Sequence, residues 1–152
     1  MKKRYLIALI LCLGSVLGSA QNAKLWGIPL NCTYEQFKSC ACQKFACMDE
    51  SSSSCSIRAD FAGFANCPIK VYKAKNGYLL SVSITLENIT RNDFTSLVVS
   101  YMDKYVANKK ISEDEYVIFD YKLKIYITYA YPNIRIRYVL DNNSTNINSN
   151  DF

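Results

Sequence analysis

Apolar residues recur along this chain at two spacings, and the wider spacing predicts two helices. Between residues 34 and 47 they come three or four positions apart, which places them on one face of a helix. Thr33 and Gln36 have the spacing of a capping box, a common start of helices. Residues 90–107 show the same spacing over a longer stretch that begins at Thr90. We therefore expect helices over 34–47 and 90–107, each with one buried apolar stripe.

The narrower spacing, with an apolar residue at every second position, predicts β-strands. Asn76-Gly77 is a strong hairpin signal because both residues tolerate the positive φ angles of a tight turn. Around it we expect a hairpin over 67–87. One face of its second strand would carry Tyr78, Leu80, Val82, Ile84 and Leu86. Further alternating stretches cover residues 55–61, 116–119, 123–129 and 134–140.

The order of these elements predicts an α+β protein. Each helix is followed by three antiparallel strands, so we expect two helix-plus-meander units in the order α-βββ-α-βββ. Both helices would pack on the same face of the sheet, since an apolar stripe and an apolar sheet face bury each other. The serine-rich stretch 48–54 and the acidic stretch 112–115 are predicted loops.

The N-terminus has the pattern of a secretory signal peptide. Basic residues at positions 2–4 precede an apolar run, and small residues come before Gln21. The run is about 13 residues long and a membrane span needs about 20, so we expect residues 1–20 to be cleaved. Lipid attachment at Cys12 is the alternative. The exported chain, periplasmic or secreted, would then hold one domain over 21–140 and a disordered tail over 141–152.

Six cysteines follow the predicted cleavage site, an even number that favours disulfides in an exported protein. On a helix over 34–47, Cys40 and Cys47 would be separated by about 10 Å of rise, beyond the ~7 Å limit between bridged Cα atoms. Cys42 and Cys47 would be marginal. We therefore expect the helix cysteines to pair outward. The six candidates are Cys32, Cys40, Cys42, Cys47, Cys55 and Cys67.

The sequence lacks the residues that several kinds of catalysis and ligand binding require. The chain has no histidine, which excludes Ser-His-Asp and Cys-His catalysis. Its cysteines lack the close pairs of structural zinc sites, and it has no glycine-rich nucleotide loop. Without residues 1–20 the chain has 15 basic and 13 acidic residues, a net charge of +2. A net charge this small argues against nucleic-acid binding. We expect no enzyme, no metal, no cofactor and no nucleic-acid partner.

A sheet covered by helices on one side leaves its other face open. The strand positions that point to that face carry Lys, Arg and Tyr, and of these Tyr and Arg are enriched in protein interfaces. An ordinary solvated face is the alternative. The candidate binding residues are Lys70, Tyr72, Lys122, Lys124, Tyr126, Arg135 and Arg137.

Two stretches of this chain resemble known proteins. Trp26-Gly27-Ile28-Pro29-Leu30 precedes the first helix, and Phe61-Ala62-Gly63 leads on to Cys67. With the aromatic second helix, they resemble a group of small, exported, largely uncharacterised proteins of Gram-negative gut bacteria with a G-I-P-I…F-A-G…C pattern. The helix-and-meander order is also similar to the fold of β-lactamase-inhibitor proteins and of envelope assembly lipoproteins. This likeness implies a sheet whose face and loops bind proteins.

These features together predict a non-catalytic binding module. Its basic, aromatic sheet face would hold a protein or glycan partner of the cell envelope or beyond it. The alternative is a thiol-redox or other cysteine-dependent envelope protein that uses Cys40 and Cys42. A redox role needs an exposed thiol of low pKa, whereas a structural role needs bridged sulfurs. The sequence leaves the oligomeric state open.

Overall fold

The computed structural model describes residues 23–105, 107–120 and 122–140. The expected signal peptide over 1–20, with Cys12 in it, and the expected tail over 141–152 lie outside the described residues. Within the described ranges there are two helices and ten strands. The helices are α1 (Tyr34–Lys44) and α2 (Arg91–Lys104); the strands are β1 (Lys24–Leu25), β2 (Ile28–Pro29), β3 (Cys47–Ser51), β4 (Ser54–Phe61), β5 (Phe64–Lys73), β6 (Leu79–Leu86), β7 (Ala107–Ser112), β8 (Glu115–Asp120), β9 (Leu123–Ala130) and β10 (Asn133–Leu140).

Eight of these strands form one antiparallel sheet, in the order β3-β4-β5-β6-β10-β9-β8-β7. β6 and β10 pair at its centre, with Ile84 opposite Ile136. β3 and β7 form its edges, and β1 and β2 form a separate two-stranded sheet. The centre of the large sheet therefore joins strands that lie far apart in the chain.

Two helices and a large antiparallel sheet confirm the α+β class. The number of strands after each helix, however, differs from the expected α-βββ-α-βββ. Each helix is followed by four strands. β3 lies where we predicted the loop 48–54, and β7 begins where we predicted the end of the second helix. All of β7, and all of β3 after Cys47, is exposed. Because neither edge strand buries a face, neither carries the alternating apolar residues by which strands are recognised.

Both predicted capping positions begin a helix. Thr33 Oγ1 accepts a hydrogen bond from the backbone N–H of Gln36 at 3.2 Å, and Gln36 Oε1 accepts one from the backbone N–H of Thr33 at 3.0 Å. Thr90 and Asp93 make the same reciprocal pair at the start of α2. An N-cap of this kind stabilises a protein by about 1 kcal/mol.

The helices pack on a common core. Phe37 of α1 and Leu97 of α2 belong to one buried cluster that includes the apolar face of the sheet. On that face the register places five isoleucines opposite one another across five strands, and each is at most 2% exposed. This row consists of Ile57, Ile69, Ile84, Ile136 and Ile127.

The hairpin around Asn76-Gly77 is present. At the start of its second strand, however, the prediction of which side chains are buried was wrong. Tyr72 lies opposite Ser81 and Lys73 opposite Leu79, so Leu80 is an extra residue in β6. Such a bulge reverses the side-chain alternation beyond it. Leu79 is consequently fully buried, and Tyr78 is 44% exposed.

The cysteine pairing also differs from the prediction. Cys42 and Cys47 form a disulfide with 5.3 Å between their Cα atoms. The prediction placed both on one helix, but α1 ends at Lys44 and the chain then turns back into β3. That turn brings Cys47 within bridging distance of Cys42. The other described cysteines are free thiols, of which Cys40 is exposed, Cys32 half-buried and Cys55 and Cys67 buried.

Neither helix in the described part of the chain is long and apolar enough to span a membrane. The Cys42–Cys47 disulfide is compatible with an exported protein.

Candidate binding face

The side of the sheet opposite the helices is the open face. The register sets a row of side chains across it, one from each of the eight strands. This row, the central row, consists of Met48, Ser56, Lys70, Ser83, Arg137, Tyr126, Val117 and Lys109. Polar and cationic side chains predominate in it, in contrast to the row of isoleucines on the helix side.

A groove with a volume of about 870 Å³ lies over one part of the open face. Residues of β3, β4, β5, β6 and β10 line it, so it crosses the central pairing of β6 with β10. Its lining combines cationic, aromatic, hydroxyl and thioether side chains. The larger ones are Met48, Arg58, Lys70, Tyr72, Arg135 and Arg137.

The groove brings together four of the seven candidate residues, namely Lys70, Tyr72, Arg135 and Arg137. β5 supplies the first two and β10 the last two. The two strands are not neighbours, because β6 lies between them. Ser83 of β6 pairs with Lys70 on one side and with Arg137 on the other.

The other three candidates do not line the groove. Tyr126 lies beside it, with its ring 4.9 Å from the guanidinium carbon of Arg137. Lys124 pairs with Val139, farther along β9. Lys122 lies in the turn before β9.

Several groove residues were missing from the candidate set. Met48 and Glu50 belong to β3, the edge strand that the sequence did not predict. Arg58 alternates with the buried Ile57 and Ala59, so the sequence could have predicted that its side chain lies on the open face. Ser56, Ser83 and Thr85 add hydroxyl groups to the floor of the groove.

Glu50 is the acidic residue of the groove lining, and its charge is compensated locally. Lys70 Nζ lies 2.9 Å from Glu50 Oε2, and the hydroxyl of Ser56 donates to Glu50 Oε1. The hydrogen bond from Ser56, followed by that from Lys70, lowers the pKa of Glu50. The hydrogen bond to Glu50 raises the pKa of Lys70. Both groups are therefore charged at neutral pH.

The arginines of the groove have different surroundings. Arg58 Nη1 donates to the backbone carbonyl of Asn66 at 3.1 Å. Arg135 is exposed and lies between Thr85 of β6 and Thr128 of β9. Within the described ranges, no carboxylate forms an ion pair with Arg58 or Arg135. Four cationic side chains thus face one carboxylate in this groove, and that carboxylate is already paired.

The cysteines proposed for redox chemistry do not come together. Cys42 is bridged to Cys47, and Cys40 is a separate exposed thiol. Residues two apart on a helix point to different sides. Burial raises the pKa of Cys55 and of Cys67, which keeps these thiols protonated at neutral pH. In the described ranges, no three His, Cys, Asp or Glu residues are grouped so that they could hold a metal ion.

No family model, curated protein or solved structure matches this chain.

Proposed function

We propose that this chain is a non-catalytic binding module that acts after export and holds a protein or glycan partner on its open face. The observation that carries the proposal is the groove of about 870 Å³ across β3–β6 and β10. It gathers Arg, Tyr and Met side chains, the types enriched where proteins bind one another. Pockets of this size commonly hold ligands.

The electrostatics of the groove support binding rather than structure alone. Arg135 is exposed and has no ion-pair partner in the described part of the chain, so its charge adds little to stability there. A guanidinium that is not engaged within the molecule can bind a partner bidentately.

The test is site-specific photo-crosslinking in cells that export the protein. A benzophenone amino acid is placed at Tyr72, in the groove, or at Tyr78, a 44% exposed tyrosine that does not line it. We expect a discrete adduct from position 72 and none from position 78. Arg135→Glu should reduce the adduct, whereas Lys75→Glu, the same charge change at an exposed turn, should not.

Circular dichroism must show that each variant is folded. Equal adducts from positions 72 and 78, or no adduct from either, would count against a binding role for this face. Loss of the adduct in Lys75→Glu as well as in Arg135→Glu would indicate nonspecific attraction by charge.

A further inference from the structure

We infer that the groove takes an extended, acidic segment of a partner protein, laid across the strands. This inference rests on the proposed function and names the kind of partner. Its first basis is charge. Arg58, Lys70, Arg135 and Arg137 line the groove together with a single acid, Glu50, which Lys70 and Ser56 already engage. A ligand that brings carboxylates complements this surface.

The second basis is the spacing of the two arginines without an ion pair in the described ranges. Arg58 of β4 pairs with Pro68 of β5, and Thr85 of β6 pairs with Arg135 of β10. These four strands are neighbours in the order β4-β5-β6-β10. Three strand spacings separate the backbones of Arg58 and Arg135, which is about 14 Å. In an extended segment, residues four apart lie about 13 Å apart and on the same side. Two carboxylates at positions i and i+4 therefore have about the spacing of these two backbone positions.

The third basis is the apolar part of the groove, which favours a polypeptide over a glycan. Met48 is 65% exposed although it is large and apolar, and it lines the groove with Pro68 and Tyr72. A flexible thioether adapts to varied side chains. The hydroxyl of Thr85 lies between the two arginine positions and can bind a backbone group of the segment.

The test uses three fluorescent peptides of equal length, built on a threonine-rich extended sequence. The first has two glutamates four residues apart, the second has the same glutamates adjacent, and the third has glutamines in their place. Fluorescence anisotropy with residues 21–152 should show binding of the first peptide, weaker binding of the second and least of the third. Binding should weaken as salt is added, because the charges are exposed.

Variants locate the binding. Arg135→Glu or Arg58→Glu should weaken binding of the first peptide by about tenfold or more, and Lys75→Glu by less than about twofold, since each groove variant turns an attraction into a repulsion. Equal binding of the glutamate and glutamine peptides would overturn the acidic partner. Equal binding of the two glutamate peptides would overturn the extended geometry. Binding of dextran sulfate without binding of the first peptide would assign the groove to an anionic glycan.

The two proposals fail separately. If position 72 forms a groove-dependent adduct in cells and the acidic peptide does not bind, the acidic segment is wrong and the binding module stands. If position 72 forms no adduct, the binding module itself is wrong.

Discussion

The phenolic oxygens of Tyr101 and Tyr138 lie 2.5 Å apart in the buried contact between α2 and β10. Each hydroxyl is the hydrogen-bond partner of the other, away from water. The pair therefore joins the second helix to the central strand that also carries Arg135 and Arg137 on its opposite face. The contact therefore lies behind the part of the groove that β10 lines.

Removing one hydroxyl should cost more stability than removing both. In Tyr101→Phe the hydroxyl of Tyr138 stays buried without its partner, and such a group costs about 1–3 kcal/mol. The double variant Tyr101→Phe/Tyr138→Phe leaves no orphaned group, so its loss should be smaller than either single loss and the two losses should not add. Urea unfolding of the four proteins measures this cycle. Additive losses would show that the two hydroxyls do not depend on each other.

Stability should fall in alkaline solution. Burial raises the pKa of Tyr101 and Tyr138, and it raises the pKa of Tyr105 to about 12. An unfolded tyrosine has a pKa of about 10. Above that pH the unfolded chain loses phenolic protons that the folded chain keeps, so the free energy of unfolding decreases as pH rises. Thermal unfolding between neutral and alkaline pH, followed with tyrosinate absorbance, checks this. The fall should be shallower in the double phenylalanine variant.

The pKa of Glu50 should depend on Ser56. The hydrogen bond from Ser56 is the first cause of its lowered pKa, so Ser56→Ala should raise the pKa toward the ordinary value of about 4.3. A lowered carboxyl pKa stabilises the folded state at pH values above the ordinary pKa. This contribution is lost as the pH falls through the folded-state pKa. NMR titration of the Glu50 carboxyl carbon measures the shift. An unchanged pKa in Ser56→Ala would contradict the contact.

The thiols should react in a fixed order. In residues 21–152 without reductant, denaturation should expose four titratable thiols, from Cys32, Cys40, Cys55 and Cys67, and reduction should add the two of the bridge. In the native protein the exposed Cys40 should react first and Cys55 and Cys67 last, because burial raises their pKa. Labelling with a thiol reagent followed by peptide mass spectrometry distinguishes them. A native Cys40–Cys42 bridge would support the redox alternative.

The Cys42–Cys47 bridge should hold β3 in place beside the groove. It closes a short loop, so Cys42→Ala/Cys47→Ala should lower the free energy of unfolding by about 2 kcal/mol. Hydrogen exchange should accelerate at β3 more than at β10, since β3 is an edge strand paired only with β4. Cys40→Ser is the matched control, because its thiol is exposed and unbridged. Equal acceleration at both strands would show that the bridge acts on the whole fold.

Local chemistry made part of this fold predictable. Thr33 and Thr90 each begin a helix because their side chains cap it. At the predicted turn Gly77 has the expected positive φ, whereas Asn76 does not. The facing of Arg135 and Arg137 followed from alternation along one strand. That Thr85 and Ser83 are their neighbours across the sheet could not be predicted in this way, because the pairing of β6 with β10 is a long-range contact. No local pattern encodes such a pairing.

The disulfide shows how a small local error spreads. Extending α1 by three residues beyond Lys44 kept Cys47 on the helix and removed β3 from the predicted sheet. With β3 missing, Met48 and Glu50 could not be assigned to the open face. The end of one helix thus decided both a cysteine pairing and one wall of the groove.

The central pairing of β6 with β10 also sets when the groove becomes complete during synthesis. β10 is the last of the described strands to be made, yet it occupies the middle of the sheet. Until it arrives, β6 presents an unpaired backbone edge, the kind of surface on which chains aggregate. Arg135 and Arg137 arrive with the same strand that closes this edge. Until β10 is made, the groove lacks both of these arginines. A partner that needs them therefore selects molecules whose sheet is already complete.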